Sequence, residues 1–210
     1  DPNYTDAHNN LGHAFKMLKD YKKAKECYEK TIKIDPRYVE GYFNIGIVFD
    51  LFRESQKAIK WYEKAIEINP KHLASMMSLG AVFNELGDTG KTIDYYQRAL
   101  ALEPNNEISL YNLGVALFSS KQFKKAAEIF KTIKYKESKS FLLNCYYRLD
   151  DKSNFFEVLD DLIKQEETNA IIGSLTSRSE IKYGVKKSNL FCNDPLKYVL
   201  KINLTEKYDF

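Results

Sequence analysis

A spacing of 34 residues runs through most of this chain and constrains its fold more than any other feature. Four glycines fall at positions 12, 46, 80 and 114. Three further series share that period: the aromatic residues Tyr28, Tyr62, Tyr96 and Phe130, the small residues Ala24, Ala58, Thr92 and Ala126, and the prolines Pro36, Pro70 and Pro104. A repeat of this length indicates a stack of supersecondary units, because no single unit can bury its own apolar face.

Each block predicts two helices joined by a short turn. In the first block the apolar residues recur at helical spacing on both sides of a turn at residues 19–21. Pro36 ends the second helix, because proline has no N–H to donate and disfavours helix at the residue before it. We expect Gly12 and its equivalents to let the two helices approach closely where Ala24 offers only a methyl group. The aromatic series should fill the space between one helix pair and the next.

This pattern resembles the tetratricopeptide repeat (TPR) family. The resemblance is carried by Leu11-Gly12, Phe15, Ala24, Tyr28 and Pro36 and by their echoes one period later. It implies an all-α fold: a right-handed superhelical solenoid of antiparallel helix pairs, with the first helix of each pair lining the concave face. Within residues 1–135 it implies four repeats, at 5–38, 39–72, 73–106 and 107–135.

The repeat signal weakens after residue 135. Residues 136–169 predict a degenerate fifth repeat. Its first helix would carry Leu142, Cys145, Tyr146 and Leu149, and after a turn at 150–152 its second would carry Phe155, Leu159 and Leu162. Residues 170–210 predict a capping helix to about Tyr183, with Gly184 as its C-cap, and then a linker with a short apolar element from Asn193.

Each end of the chain resembles a segment found inside longer proteins. Asp1-Pro2-Asn3-Tyr4 matches Asp35-Pro36-Arg37-Tyr38, which favours a start inside a longer array, although Asp-Pro also suits the beginning of a helix. Residues 191–199 resemble the junction where bacterial TPR arrays meet a 2-oxoglutarate/iron(II) oxygenase domain. Such enzymes bind iron through His-x-Asp and a later His. None of the three histidines here is followed by that Asp, so an iron site would lie beyond Phe210.

Composition narrows the classes of partner. A net charge of +3 gives no field that would favour nucleic acid or an anionic membrane. No apolar run approaches the roughly 18 residues of a membrane helix. The cysteines Cys27, Cys145 and Cys192 are far apart, which predicts reduced thiols and a cytoplasmic location. The expected partners are therefore proteins or peptides.

No catalytic, cofactor or metal site is predicted in this segment. The sequence around Gly90-Lys91-Thr92 resembles a phosphate loop, but Glu85 occupies the position of its first glycine and a helix precedes it. His8 and His13 are five residues apart and diverge around a helix, so they do not form a metal pair. We expect a segment that is not an enzyme.

The sixth residue of each block is the first candidate for ligand contact. These residues are Asn10, Asn44, Ser78 and Asn112. In the TPR family this position projects into the groove, and an Asn amide can pair with both halves of a backbone peptide group. The row is similar to the asparagine ladder of the TPR superhelix in O-linked N-acetylglucosamine transferase, although Ser78 interrupts it. The alternative is a local bond from Asn to the neighbouring helix.

The fifth and ninth residues of the blocks predict an apolar stripe beside these amides. It consists of Phe43, Met77 and Tyr111, with Ile47 and Val115. Half-exposed apolar surface marks interaction sites, and aromatic residues and Met anchor interfaces. The C-terminal tail or another protomer could equally occupy it. The Lys/Asn/Arg clamp of chaperone-tail binders is excluded. The residues at the clamp positions are Asn9, His13, Asn44, Ala74 and Ser78, and of these only Asn44 fits.

Three functions remain open. The first is a protein-interaction scaffold that binds a peptide segment of a partner in its groove. The second is the substrate-recruiting arm of a larger modifying enzyme, an oxygenase or a glycosyltransferase. The third is self-assembly into a homo-oligomer through the solenoid ends.

Overall fold

The structure, a computed structural model, describes residues 2–135, 137–165 and 170–187. These residues form eleven α-helices and no strand. The helices are α1 (Pro2–Met17), α2 (Tyr21–Ile34), α3 (Val39–Leu51), α4 (Ser55–Ile68), α5 (Leu73–Glu85), α6 (Thr89–Leu102), α7 (Glu107–Ser119), α8 (Phe123–Phe130), α9 (Ser138–Leu149), α10 (Lys152–Lys164) and α11 (Ala170–Tyr183). The predicted all-α fold is confirmed. The element expected from Asn193 and the junction-like residues 191–199 lie outside the described residues.

The chain divides into two compact units, Asp1–Leu113 and Gly114–Phe210, with the boundary inside α7. In the first unit the helices pair as α1 with α2, α3 with α4, and α5 with α6. The second helix of one pair then packs on the first helix of the next, α2 on α3 and α4 on α5. The first unit is therefore a stack of helix pairs in chain order.

The turn inside each pair has the same backbone geometry. After α1, Lys19 adopts a left-handed φ of 60°, the Lys19 N–H donates to the Lys16 carbonyl at 3.0 Å, and the Asp20 N–H donates to the Phe15 carbonyl at 2.9 Å. This pair of bonds is the Schellman motif, which satisfies carbonyls at a helix end. The equivalent left-handed residues are Arg53, Gly87, Lys121 and Asp150.

The core of the first unit is divided between successive pairs. Ala24 and Tyr28 of α2 form one buried cluster with Ile45 and Val48 of α3. Ala58, Ile59 and Tyr62 of α4 form the next cluster with Leu79, Val82 and Phe83 of α5. The aromatic series thus packs between one pair and the next, as predicted.

The repeated glycines lie against the aromatic ring of their own helix pair, a contact that the sequence did not predict. A methyl group added to Gly46 would lie 2.5 Å from Cε1 and 2.6 Å from Cδ1 of Tyr62, and the Ala58 side chain is not among the nearest atoms. Gly12 faces Tyr28 and Gly114 faces Phe130 in the same way. Glycine is needed because the aromatic ring of the second helix lies flat against the backbone of the first. The same ring therefore serves both contacts, within its pair and with the next.

The second unit contains the helix pair predicted for residues 136–169 and the helix that follows it. On α9 and α10, Leu142, Cys145, Tyr146, Phe155, Leu159 and Leu162 are buried, whereas Leu149 is exposed at the end of α9. The α11 helix packs on both α9 and α10. It ends as predicted: Gly184 has a φ of 68°, and its N–H donates to the Glu180 carbonyl at 2.9 Å.

Candidate functional site

One surface of the first unit is built from the first helices of its three pairs. On α3, residues 40, 43, 47 and 50 are spaced three or four apart and so share one side of the helix. We call the surface formed by α1, α3 and α5 the first-helix face. It carries Asp6, Asn9, His13 and Lys16 on α1, Glu40, Phe43, Ile47 and Asp50 on α3, and Met77, Ala81 and Glu85 on α5.

A buried polar network joins α1 to α3 on this face. The Asn44 amide donates from Nδ2 to Asn9 Oδ1 at 2.9 Å and lies 3.3 Å from His13 Nε2. Asn44 is 2% exposed and Asn9 is 7% exposed. Because the amide nitrogen carries only donors, Nε2 of His13 must accept, which places the ring proton on Nδ1.

The surroundings of His13 favour its neutral form. Burial lowers the pKa of His13, the nearby Lys16 ammonium lowers it further, and the Glu40 carboxylate opposes both. A neutral imidazole is also what the bond from Asn44 requires, since protonated Nε2 could not accept it.

A second network joins α3 to α5. The Ser75 N–H donates to His72 Nδ1 at 3.3 Å and so caps the start of α5. His72 Nε2 therefore carries the proton and donates to Glu40 Oε1 at 3.1 Å. The Phe43 ring packs edge-on against His72, with their centroids 5.2 Å apart. This contact holds Phe43 half-buried on the face between the two helices.

The first-helix face is acidic where α3 and α5 end, at Asp50 and Glu85. Arg53 donates to Glu85 Oε2 at 3.0 Å, across from α3 to α5. Burial and the Glu85 carboxylate raise the pKa of Asp50, and Arg53 offsets only part of this. Two carboxylates thus face a single cation at this end.

The residues predicted to contact a ligand have different environments. Asn10 is exposed, Asn112 is half-buried, and Asn44 is buried in the bond to Asn9, which is the local alternative considered for it. Ser78 is hydrogen-bonded to the Tyr62 hydroxyl. The apolar residues Phe43, Ile47, Met77, Tyr111 and Val115 are all half-buried. Phe43, Ile47 and Met77 lie on the first-helix face, Asn10, Tyr111 and Asn112 lie elsewhere in the first unit, and Val115 belongs to the second unit.

Sequence reasoning missed the two networks. From the sequence, Asn9 was considered for a clamp and His13 for a clamp or a metal pair, and Glu40 and His72 were not singled out. The available signal was their spacing: Asn9 and His13 are one turn apart on α1, and His72 lies 32 residues from Glu40, close to one period. Polar residues at such spacing meet across adjacent helices.

Within the part of the chain that the structure describes, no three His, Cys, Asp or Glu side chains are grouped to hold a metal ion. None of the helices described above combines the length and apolar character needed to cross a bilayer.

Two family models match the chain, and both are described as the tetratricopeptide repeat. One matches residues 5–38 and 39–72, and the other matches residues 83–144. No curated protein sequence matches the chain.

Solved structures of several bacterial proteins share the fold. MamA is 19% identical, with a TM-score of 0.69, covering 90% of this chain and 100% of that one. PilF of Pseudomonas aeruginosa is 17% identical, with a TM-score of 0.70, covering 99% and 93%. YrrB, described as a TPR protein with an unusual peptide-binding site, is 18% identical, with a TM-score of 0.68, covering 79% and 88%.

Proposed function

This chain belongs to the tetratricopeptide repeat family, and from that premise we propose that it binds a peptide segment of a partner protein on its first-helix face. TPR proteins are protein-interaction scaffolds, and the similar structure of YrrB is described as having a peptide-binding site. The binding segment is expected to cross α1, α3 and α5.

The observation that carries this proposal is the half-exposed apolar surface of the first-helix face. Phe43 and Ile47 pack by one side against the core cluster of Ala58, Tyr62 and Leu79, and their other side is left partly open. Met77 on α5 is likewise half-buried. An aromatic side chain held against the core and a half-buried Met side chain are suitable anchors for an extended segment.

Polar groups outside the first-helix face are further predicted contacts for the backbone of such a segment. Asn10 is exposed and its amide can donate and accept. Asn112 is half-buried on α7 and remains a predicted contact. Asn44 contributes differently, because its amide orders Asn9 and His13 rather than a ligand.

The test is selection of random peptides displayed on phage against the immobilised chain, followed by fluorescence anisotropy with an enriched peptide. We expect the double variant Phe43→Ala/Met77→Ala to weaken binding by at least about tenfold, since central apolar anchors commonly contribute more than about 1 kcal/mol each. Ile34→Ala on α2 is the matched control: Ile34 is 45% exposed and lies on a second helix, so its loss should leave affinity unchanged.

Two results would refute the proposal. One is that no displayed peptide is enriched. The other is that Ile34→Ala weakens binding as much as the double variant does while circular dichroism shows both proteins folded.

A further inference from the structure

Charge in the first unit is segregated between its first and second helices. The first helices α1, α3 and α5 carry the carboxylates of Asp6, Glu40, Asp50 and Glu85 against one lysine, Lys16. The second helices α2, α4 and α6 carry ten Lys and Arg side chains against five carboxylates. The whole-chain charge of +3 conceals this division.

The acidic groups are accessible and lie around the apolar surface. Asp6, Glu40 and Glu85 are exposed and Asp50 is half-buried. On α3 the order along the helix is Glu40, Phe43, Ile47 and Asp50, so a carboxylate lies at each end of the apolar pair. A ligand that crosses α3 over Phe43 and Ile47 would therefore lie between these two carboxylates.

The carboxylates are incompletely neutralised by the protein itself. Glu40 accepts from His72 Nε2 at 3.1 Å, and Asp6 accepts from the Tyr38 hydroxyl at 2.8 Å, so neither carboxylate is bonded to a Lys or Arg side chain there. Among the residues that the structure describes, Arg53 is the cation that bonds to Glu85 and acts on Asp50. A cation supplied by a ligand would relieve this repulsion, whereas an anion would increase it.

We propose that the segment bound on the first-helix face is basic and amphipathic, with Lys or Arg side chains opposite Glu40, Asp50 and Glu85 and apolar side chains on Phe43, Ile47 and Met77. This inference rests on the proposed function and names the chemical class of its partner. The basic second helices would repel the same segment, so charge selects the face as well as the ligand.

The test compares two synthetic peptides by fluorescence anisotropy on the whole 210-residue chain. One contains Leu and Lys in alternation with Ser-Gly spacers, and the other has Glu in place of every Lys. We expect the Lys peptide to bind at least about tenfold more tightly, and its affinity to fall as salt is raised from about 0.05 to about 0.5 M.

Two triple variants test whether the preference for the Lys peptide arises from the first-helix face. Glu40→Gln/Asp50→Asn/Glu85→Gln keeps the shapes and hydrogen-bond acceptors but removes three charges, and it should weaken the Lys peptide by about tenfold. The matched control, Glu63→Gln/Glu67→Gln/Asp94→Asn, changes the net charge equally on the second helices α4 and α6. It should change affinity less than about twofold.

Equal binding of the two peptides, or equal weakening by both triple variants, would overturn the inference about charge. Such a result would leave the proposed function intact if Phe43→Ala/Met77→Ala still weakened peptide binding by at least about tenfold. Salt-sensitive self-association of the chain that the Lys peptide cannot compete would also overturn it, because the basic second helices of another copy would then be the occupant.

Discussion

At the scale of single residues, the repeated glycines show that a close contact can be predicted while its partner is missed. The spacing of Gly12 and Gly46 indicates two helices in near contact, and the structure has that contact. The atoms nearest to the glycine belong to the ring of Tyr28 or Tyr62, which the sequence assigned only to the space between pairs. Periodicity locates a position on a helix face but does not tell how far along the neighbouring helix a large side chain reaches.

Gly46→Ala should therefore destabilise the fold. The added methyl group would overlap the buried Tyr62 ring, and overpacking of this kind costs about 1–3 kcal/mol. The better helix propensity of Ala offsets about 1 kcal/mol of this loss in the free energy of unfolding. The control is Gly90→Ala, where the nearest atom would be Asp88 Oδ1 at 3.6 Å, and which should be neutral or stabilising. Urea denaturation of both variants measures the difference, and equal stabilities would contradict the assigned contact.

His13 gives a prediction about pH. Its pKa in the folded protein should lie below its ordinary value of 6.5, since burial and Lys16 lower it. The folded state then binds fewer protons than the unfolded state, so this histidine lowers the free energy of unfolding as the pH falls below about 6.5.

An NMR titration of the His13 ring measures that pKa directly. Lys16→Gln should raise it, because a repelling cation is removed, and Glu40→Gln should lower it, because a stabilising carboxylate is removed. A shift in the same direction from both variants would show that the network on α1 and α3 is not arranged as described.

At the scale of elements, each residue of the turn inside a helix pair has a defined role in ending one helix or starting the next. The residue after the left-handed position is also the N-cap of the next helix: Asp20, Asp88 and Asp151 each accept a bond there from the backbone N–H three residues on. Glu54 and Gln122 occupy the same place without such a bond. One short segment thus ends one helix and begins the next, which keeps the two helices in a fixed register.

The left-handed position offers a stabilising change. Lys19 has a φ of 60°, a conformation that costs a non-glycine residue about 1 kcal/mol or more, and it is exposed. Lys19→Gly should raise the free energy of unfolding by up to about 1 kcal/mol. Lys30→Gly, in the exposed interior of α2, should lower it by about 1 kcal/mol. Thermal denaturation compares the two, and a loss of stability in Lys19→Gly would contradict the strain assigned to this turn.

At the scale of the whole molecule, the sequence predicted the helices well and the candidate site only in part. A strict period repeats the same local physics in each block, so it predicts the helix pairs, whereas the cap at Gly184 was predicted from the preference of helix ends for glycine. The site depends on where polar side chains meet across helices, and Asn44 illustrates the limit. Its place in the row of asparagines is visible in the sequence, but its hydrogen bond to Asn9 depends on which side chains of α1 and α3 come within reach of each other in the fold. The net charge also gave no indication of the site, because the negative charge of the first helices and the positive charge of the second helices largely cancel.

That separation of charge gives the first unit a transverse electric dipole, although its total charge is small. An approaching polyelectrolyte would be turned by this field before it touched the surface, so encounters in the wrong orientation would be fewer than random diffusion predicts. The same dipole should let the protein be retained on both anion- and cation-exchange resins near neutral pH. Its chromatographic behaviour would then report the orientation of the molecule rather than its isoelectric point.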